Sequence, residues 1–402
     1  MTAVLEGVNV LDLSHDWAGP HATRILADLG AEVLKIEYPH RLDGMRGGHL
    51  VDRRYDTHPR FWQLHRGKKS LTLDLERADH RDRALTLVAW ADVVVDSSRP
   101  GVLERLGLGW EVLAAQRPDL ILVQMPAFGS TGPDAPYGGY GGGIEPLSGL
   151  QALTAYSPGS PPRRIREMDV TNGVAGACAA LTALVRRQKT GRGQRVEVSQ
   201  LEAAISTLAG MEFLETAITG VAPEPTGNRH RTAAPRGCYP CKGADRWVVL
   251  AVRSNEEWRC LCRALGRPEM ADDPAYASPF DRMRAHDSLD DMIADWTRRR
   301  DHRTAMAELQ TAGVPAGAVF DPADLVSDPH LKARGWFSEA EDGSGRYPGM
   351  PFRFVGEPWV VRRRGPFLGE HNAEVTTKLL GLPESAVETV REEELGTAFD
   401  PE

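Results

Sequence analysis

Short apolar runs alternate with helix-like stretches along the first half of the chain. The strand-like runs read VNVLDLS, AEVLKIE, DVVVDS and DLILVQMP, and between them HATRILADLG and ALTLVAWA have apolar positions at helical spacing. Strand–helix alternation of this kind predicts a doubly wound, mostly parallel sheet in an α/β fold. Continuous apolar strands such as VVV and LILV fit burial on both faces of that sheet.

The turn after the first strand lacks the glycine fingerprint of a dinucleotide-binding fold. Residues 14–20 read SHDWAGP, whereas the fingerprint at this point of the fold is G-x-G-x-x-G. A dinucleotide-dependent dehydrogenase is therefore disfavoured, although the doubly wound sheet itself is still expected.

The pattern changes at two places in the second half of the chain. A helical stretch from Asp169 closes near Ala222 with the Pro-rich run VAPEPTGN, which predicts a boundary. The next hundred residues read as a smaller α+β unit, and the remainder carries short strands, a helix and an acidic tail. We therefore predict a large domain over 1–222, a small domain over 229–325 and a return to the large domain over 326–402.

Length and composition are those of an ordinary globular protein. The chain has 402 residues, of which 41% are hydrophobic and 26% charged, and this length predicts more than one core. No run of about 18 apolar residues is present, and the N-terminal segment lacks the pattern of a signal peptide. We therefore expect a cytoplasmic protein without a membrane partner. The net charge of −8 argues against a general nucleic-acid binder.

The cysteines allow two interpretations. Cys238 and Cys241 form C-x-x-C, and Cys260 and Cys262 form C-x-C, which together suggest a zinc site. The C-x-C pair, however, falls in a helix-like segment, which points the two thiols to different faces. The odd number of five cysteines in a cytoplasmic chain favours reduced thiols. We therefore expect buried, inert cysteines and no metal site.

Eight segments with distinctive glycine, proline and charged positions follow one another along nearly the whole chain. They read, in order, DLSHDWAGPHATRILADLGAEVLKIE, RGKKSLTLDL, RPGVLERLGLG, GSTGPDAPYGGYGGGIEPLSGL, REMDVTNGVAGACAAL, GNRHRTAAPRGCYPC, AGVPAGAVFDPADLVSDPHLKARGWF and PFLGEHNAEVTTKLLGL. Together they resemble the class III coenzyme A transferases, the CaiB/BaiF or formyl-CoA transferase-like family. A single segment of this kind is common, but eight in the correct order are specific.

The resemblance implies a Rossmann-like large domain, built from both ends of the chain, with a smaller α+β domain inserted between them. It also implies an interlocked homodimer. The activity implied is transfer of coenzyme A (CoA) from an acyl-CoA donor to a carboxylic acid acceptor. These substrates are the expected partners, and no tightly bound cofactor is expected.

Asp169, in REMDVTNGV, matches the catalytic segment of the family, and the resemblance implies that it forms the covalent intermediates. Moving CoA between acids without hydrolysis needs a carboxylate that becomes a mixed anhydride and then a thioester. Asp169 precedes a helical run, where the helix dipole and free N–H groups keep a carboxylate ionised. An N-cap aspartate without a catalytic role has the same local pattern. The resemblance alone favours the nucleophile.

Tyr140, Gly141, Gly142 and Gly143 lie in a glycine-rich segment that follows a buried strand. A loop at the carboxyl end of such a strand brings backbone amides close to a thioester oxygen, whereas the alternative is a flexible surface turn. The segment departs from the pattern of the family. Relatives usually carry Asp or Glu after the tyrosine and Gln four residues further on, where this chain has Gly141 and Glu145.

CoA carries phosphates and an adenine, so its site needs cations and a stacking surface. By resemblance, Arg105 matches a position that contacts the nucleotide. Tyr38 stands where relatives can have a phosphate-binding arginine, with Arg41 as an alternative cation. An ordinary exposed side chain is the alternative interpretation for each of them. The predicted CoA-binding residues are Asp16, Ala18, Tyr38, Arg46, Lys69, Ser97 and Arg105.

Two other functions stay open. The family includes α-methylacyl-CoA racemases, which pair the aspartate with a histidine so that two bases flank the α-carbon. This chain has no histidine between Arg81 and Glu202, so a racemase would lack its second base. The altered glycine segment leaves a third interpretation, a subunit of a heteromeric transferase, against which the intact Asp169 argues.

Overall fold

A six-stranded parallel sheet forms the centre of the larger part of the chain. The computed structural model describes residues 3–206, 210–350, 352–356 and 360–397. The strands of the sheet are β1 (Asn9–Asp12), β2 (Glu32–Glu37), β3 (Lys69–Thr72), β4 (Val93–Asp96), β5 (Ile121–Gln124) and β6 (Gln194–Glu197). All neighbours are parallel, in the order β3-β2-β1-β4-β5-β6, which is a doubly wound order. The predicted α/β class with a Rossmann-like sheet is confirmed.

Helices pack on both sides of this sheet, with a hydrophobic core on each face, and only α9 in the following list has no buried residue. The helices are α1 (Ala18–Asp28), α2 (Pro59–His65), α3 (Ala78–Trp90), α4 (Val102–Arg105), α5 (Trp110–Gln116), α6 (Gly141–Leu147), α7 (Met168–Thr190), α8 (Gln200–Ala204) and α9 (Gly210–Thr219). Val93 and Val95 of β4 belong to one core and Val94 to the other, as the two-residue period of a strand requires. Burial on both faces explains the continuous apolar sequence of β4 and β5.

Helix α7 packs against α1 and β5 at short range because its contact positions are glycines. A Cβ atom on Gly173 would overlap the His21 ring, and one on Gly176 would overlap the Met125 sulfur. Larger side chains at these two positions would push α7 away from the sheet, because a packed interior has no spare volume. The glycines therefore fix the position of the helix that carries Asp169.

By length and composition alone, α7 could cross a membrane, since its mean hydropathy reaches 1.4 over 18 residues. Core helices of soluble proteins pass the same test, and α7 buries Ala177, Ala180 and Ala183 in the core beside α1. The expectation that no segment would be apolar enough was therefore too strict. The expected absence of a membrane partner stays a prediction.

The chain divides into two compact units. The larger comprises 1–151, 164–222 and 335–402, and the smaller comprises 152–163 and 223–334. The smaller unit thus interrupts the larger one twice along the chain. The domain boundaries derived from the sequence stay a prediction.

An antiparallel sheet and several helices make up the smaller unit. They are β7 (Arg236–Pro240), β8 (Trp247–Ala251), β9 (Ala316–Val319), α10 (Asn255–Ala264), α11 (Pro279–Arg284), α12 (His286–Thr297), α13 (His302–Thr311), α14 (Pro322–Ser327) and α15 (Pro329–Ala333). Its core includes Cys241, Cys260 and Cys262, all free thiols. Burial raises the pKa of Cys241 to about 11 and that of Cys262 to about 12, so both thiols stay neutral. The absence of a metal site stays a prediction.

The last part of the chain returns to the edge of the large sheet. After the hairpin β10 (Phe337–Glu339) and β11 (Arg346–Pro348), the short helix α16 (Asn372–Glu374) lies beside β3. The Asn372 side chain accepts a hydrogen bond from the Thr72 N–H at 3.0 Å and donates one to the Thr72 hydroxyl at 2.7 Å. Polar groups of the edge strand are therefore satisfied by a residue 300 positions away.

A buried ion network, consisting of Asp12, Lys35, Asp43 and Lys68, connects the ends of β1, β2 and β3. Lys68 Nζ lies 2.9 Å from Asp12 Oδ2, and Lys35 Nζ lies 3.0 Å from Asp43 Oδ2, with all four side chains 0% exposed. Burial lowers the pKa of Lys68 to about 8, although Asp12 opposes this shift by favouring the charged ammonium. Each charge thus depends on its partner, because an unpaired charge in the interior is very costly.

We predict that Lys68→Met destabilises the protein much more than Lys69→Met. The first substitution leaves Asp12 buried without its counterion, which costs about 3–5 kcal/mol. The second removes ion pairs to Glu32 and Glu374, which are partly exposed and worth at most about 1 kcal/mol each. Denaturant unfolding followed by circular dichroism measures the difference. Equal losses in the two variants would contradict the role of the network.

Candidate active site

A cavity of about 800 Å³ opens at the carboxyl ends of β1 and β4. The strand order reverses between these two strands, and doubly wound folds bind their ligands at this point. The turns after β1, β2 and β4 line the cavity together with the segment before α6. The predicted site residues that line it are Asp16, Ala18, Tyr38, Ser97, Arg105, Tyr140, Gly143 and Asp169.

Two predicted CoA-binding residues lie elsewhere. Arg46 is 0% exposed and donates to Glu37 at 2.8 Å and to Asp56 at 3.1 Å. Lys69 is engaged by Glu32 and Glu374 at the edge of the sheet. Because neither cation reaches the cavity, a contact of either one with CoA stays a prediction that the geometry does not favour.

The turn after β1 is anchored by the buried ion network. Asp43, the partner of Lys35, accepts the Asp16 N–H at 3.3 Å, and Ser97 Oγ accepts the His15 N–H at 3.2 Å. Asp16 has φ = 66°, a left-handed conformation that aspartate adopts more readily than most residues with a side chain, and these two hydrogen bonds hold the turn in it. Burial, followed by the charge of Asp43, raises the pKa of Asp16. The network therefore shapes one wall of the cavity.

Asp169 lies in the first turn of α7 and is half-buried in the cavity wall. Burial raises the pKa of its carboxyl, and the charge of Glu145 adds to this effect. The guanidinium of Arg164 and the backbone N–H of Gly141 oppose it. The site thus holds a poorly hydrated carboxylate with an arginine and a backbone amide beside it, a suitable environment for a nucleophile.

The glycine segment is partly helical rather than a continuous loop. Tyr140 is the N-cap of α6, and Gly141, Gly142 and Gly143 form the first turn of the helix. A Cβ on Gly141 would overlap the Asp169 carboxylate. Glycine at this position therefore allows the close approach of the backbone to Asp169 that this chain has.

Sequence reasoning did not single out Asp96, Arg99 and Arg164. Asp96 ends β4, lines the cavity, and accepts the Ser98 N–H at 3.0 Å. Arg99 also lines it and opens the R-P-G turn that the resemblance associates with CoA, so the signal for this residue was present. Nothing in the local sequence distinguishes Arg164 from its neighbour Arg163. Only the fold shows which of the two faces Asp169.

The fold and the cavity define a ligand-binding α/β enzyme with a carboxylate, not a dinucleotide fingerprint, at its switch point. The family model described as CoA-transferase family III matches residues 5–372. The chain belongs to this family and is a CoA-transferase, an enzyme that moves CoA from an acyl-CoA to a carboxylic acid. The predicted family, enzyme class and overall reaction are confirmed.

Individual relatives agree with this assignment. A succinyl-CoA–D-citramalate CoA-transferase of Chloroflexus aurantiacus is 37% identical over 389 residues, covering 94% of this chain and 95% of that protein. An acetyl-CoA:oxalate CoA-transferase of Acetobacter aceti is 33% identical, covering 92% of this chain and 94% of that protein. A crystal structure of a CaiB/BaiF family protein from Brucella suis has a TM-score of 0.85 and 30% identity, covering 94% of this chain and 100% of that one.

We predict that Gly141→Ala lowers kcat about 100-fold, because the added methyl group displaces the Asp169 carboxylate, and displacements near 1 Å have effects of this size. Gly143→Ala serves for comparison. Nothing lies within 4 Å of a Cβ at that position, so we expect a loss below about tenfold. Steady-state transfer rates measure both effects, and a Gly141→Ala enzyme of normal kcat would contradict the close packing of Gly141 on Asp169.

Proposed function

We propose that Asp169 carries the acyl group and CoA in turn. Its carboxylate attacks the thioester carbonyl of the donor, which gives a mixed anhydride and releases CoA thiolate. The thiolate attacks the aspartyl carbonyl, so the free donor acid leaves and an aspartyl-CoA thioester remains. The acceptor carboxylate attacks this thioester to give a second anhydride and thiolate, which then forms the product acyl-CoA and frees Asp169. Each step exchanges one activated acyl group for another.

The observation that carries this proposal is the position of Asp169 in the cavity wall, against the amide of Gly141. Limited hydration strengthens a carboxylate nucleophile and protects the anhydride from water. Backbone N–H groups at the start of α6 supply donors for the oxyanion that forms at the attacked carbonyl. Tyr140, Gly141, Gly142 and Gly143 are therefore proposed as the segment around the reacting carbonyl.

We propose that CoA itself occupies the cavity beside Asp169. Arg41, Arg99 and Arg105 line the cavity and are suited to its phosphates. The Tyr38 ring, also in the wall, offers a stacking surface for adenine. Contacts from the turns after β1 and β4 come from Asp16, Ala18 and Ser97.

A homodimer is proposed from helix α9. None of its residues is buried, and its side chains Met211, Phe213, Leu214 and Ile218 are 81%, 64%, 55% and 75% exposed. Apolar patches of this kind mark interaction surfaces. The resemblance of the sequence implies an interlocked homodimer, so we propose that a second copy of the chain covers this patch.

We also propose a cytoplasmic location for the protein. All five cysteines are free, and reduced thiols are typical of that compartment.

The covalent step predicts a trapped aspartyl group. Incubation with acyl-CoA and hydroxylamine should convert Asp169 to a hydroxamate, which peptide mass spectrometry locates. Asp169→Ala should give no adduct and lose at least about 1,000-fold in transfer rate, since removing a covalent nucleophile abolishes the route. Glu167→Gln is the matched control, because Glu167 is exposed and lies two residues before Asp169. Transfer at the wild-type rate by Asp169→Ala would overturn the mechanism.

The dimer predicts a change of mass when α9 is made polar. Met211→Glu combined with Ile218→Glu should shift the protein toward the monomer in light scattering, since burying two unpaired carboxylates in an interface is unfavourable. Val51→Glu is the control, because Val51 is an apolar residue of similar exposure, 74%, outside α9. An unchanged dimer in the double variant, or a monomeric wild type, would contradict the proposed interface.

A further inference from the structure

Glu145 is a buried acidic residue that the transfer mechanism does not use. It is 0% exposed, and its carboxylate accepts hydrogen bonds from the Ile165 N–H at 2.7 Å, the Arg166 N–H at 2.9 Å and Gln151 Nε2 at 2.9 Å. Burial raises the pKa of this carboxyl, but the hydrogen bonds outweigh burial and lower the pKa overall. Glu145 is therefore an ionised clamp on the segment that precedes α7.

The clamp holds a backbone that would not adopt its conformation unaided. Arg166 has φ = 66°, a left-handed value that is unfavourable for a residue with a side chain. Two successive amides, those of Ile165 and Arg166, bind the two oxygens of one carboxylate. A glutamine at position 145, usual in relatives, has a single acceptor oxygen and cannot bind both amides in this way. The departure of this chain from the family pattern thus has a structural role.

The clamped segment presents Arg164 to the reaction centre. A Cβ on Gly142 would lie 3.0 Å from Arg164 Nη2, whereas a Cβ on the adjacent Gly141 would overlap the Asp169 carboxylate. Consecutive Cα atoms are only about 3.8 Å apart, so Arg164 and Asp169 face neighbouring positions of α6. Within the described part of the chain, the Arg164 guanidinium makes no hydrogen bond or ion pair, and its residue is exposed.

We propose that Arg164 binds the second carboxylate of a dicarboxylic acid whose first carboxylate reacts at Asp169, with Glu145 as the positioning residue. The inference rests on the proposed role of Asp169. A guanidinium offers two parallel N–H donors, which match a carboxylate and bind it in a bidentate manner. A monocarboxylic acid of the same length cannot use this arginine, so selection between the two classes of acid follows from one side chain.

The test compares two straight-chain five-carbon acceptors, glutarate and pentanoate, with succinyl-CoA as the donor for both. Because donor and enzyme are the same, the ratio of the two kcat/KM values isolates recognition of the second carboxylate. We expect wild type to prefer glutarate. Arg164→Gln should lower the ratio of kcat/KM for glutarate to that for pentanoate about 10- to 100-fold, the range for loss of a charged hydrogen bond. Losing the positive charge beside Asp169 slows both acids alike and cancels in this ratio. Arg164→Lys should restore part of the preference.

Arg163→Gln is the matched control. This neighbouring arginine is also exposed and lies over the Tyr156 ring, 5.6 Å from its centroid, so its removal should leave the ratio unchanged. Glu145→Gln should reduce the ratio about three- to tenfold, mainly by raising KM for glutarate, as expected when a bound arginine is less well positioned. A purely structural role of Glu145 would lower the rates for both acids equally.

The outcomes separate the two proposals. If wild type transfers CoA to pentanoate as well as to glutarate, or if Arg164→Gln slows both acids equally, the assignment of Arg164 is overturned while covalent transfer through Asp169 stands. If neither acid is a substrate and no donor labels Asp169, the proposed function itself fails. Circular dichroism melting of each variant shows whether a loss of rate reflects unfolding.

Discussion

The site depends on paired charges enclosed at the ends of three parallel strands. Asp12 with Lys68 and Lys35 with Asp43 are completely buried, which is favourable only while both members of each pair stay in place. Their side chains determine how the chain leaves β1 and β2. The turns after β1 and β2 form part of the cavity wall. The order of this part of the wall therefore depends on the two buried ion pairs.

The carboxylates in and around the cavity differ in how deeply they are buried. Three of them are fully buried and accept hydrogen bonds from backbone amides: Asp12, Asp43 and Glu145. These three carboxylates therefore hold turns in place. Asp169 is only half-buried, and among the residues that the structure describes no lysine acts on its carboxyl. The difference in environment separates the structural acids from Asp169, the acid that we propose reacts. The arginine next to Asp169, Arg164, supplies charge without enclosing the carboxylate.

The sequence was sufficient for the fold because burial on both faces makes β4 and β5 continuously apolar. It also pointed to Asp169 through the family pattern around it, and the structure places this residue in the cavity wall, but its catalytic role stays a proposal. It was insufficient for Arg46 and Lys69, whose acidic partners become neighbours only in the folded chain, one of them 305 positions away. It also missed α6, since three glycines disfavour a helix and tertiary contacts of Glu145 override that preference. The local sequence therefore does not show which basic side chains form ion pairs in the folded chain and which remain available to a ligand.

The hydrogen bonds between Asn372 and Thr72 of β3 constrain the order in which the large sheet is completed. During synthesis, β3 forms early, but its partner is made about three hundred residues later, after the smaller unit has left the ribosome. Contacts so distant in sequence close slowly, whereas both segments of the smaller unit, 152–163 and 223–334, are made before Asn372, so this unit can fold as it emerges. The edge of the large sheet thus stays open until the last part of the chain has been made.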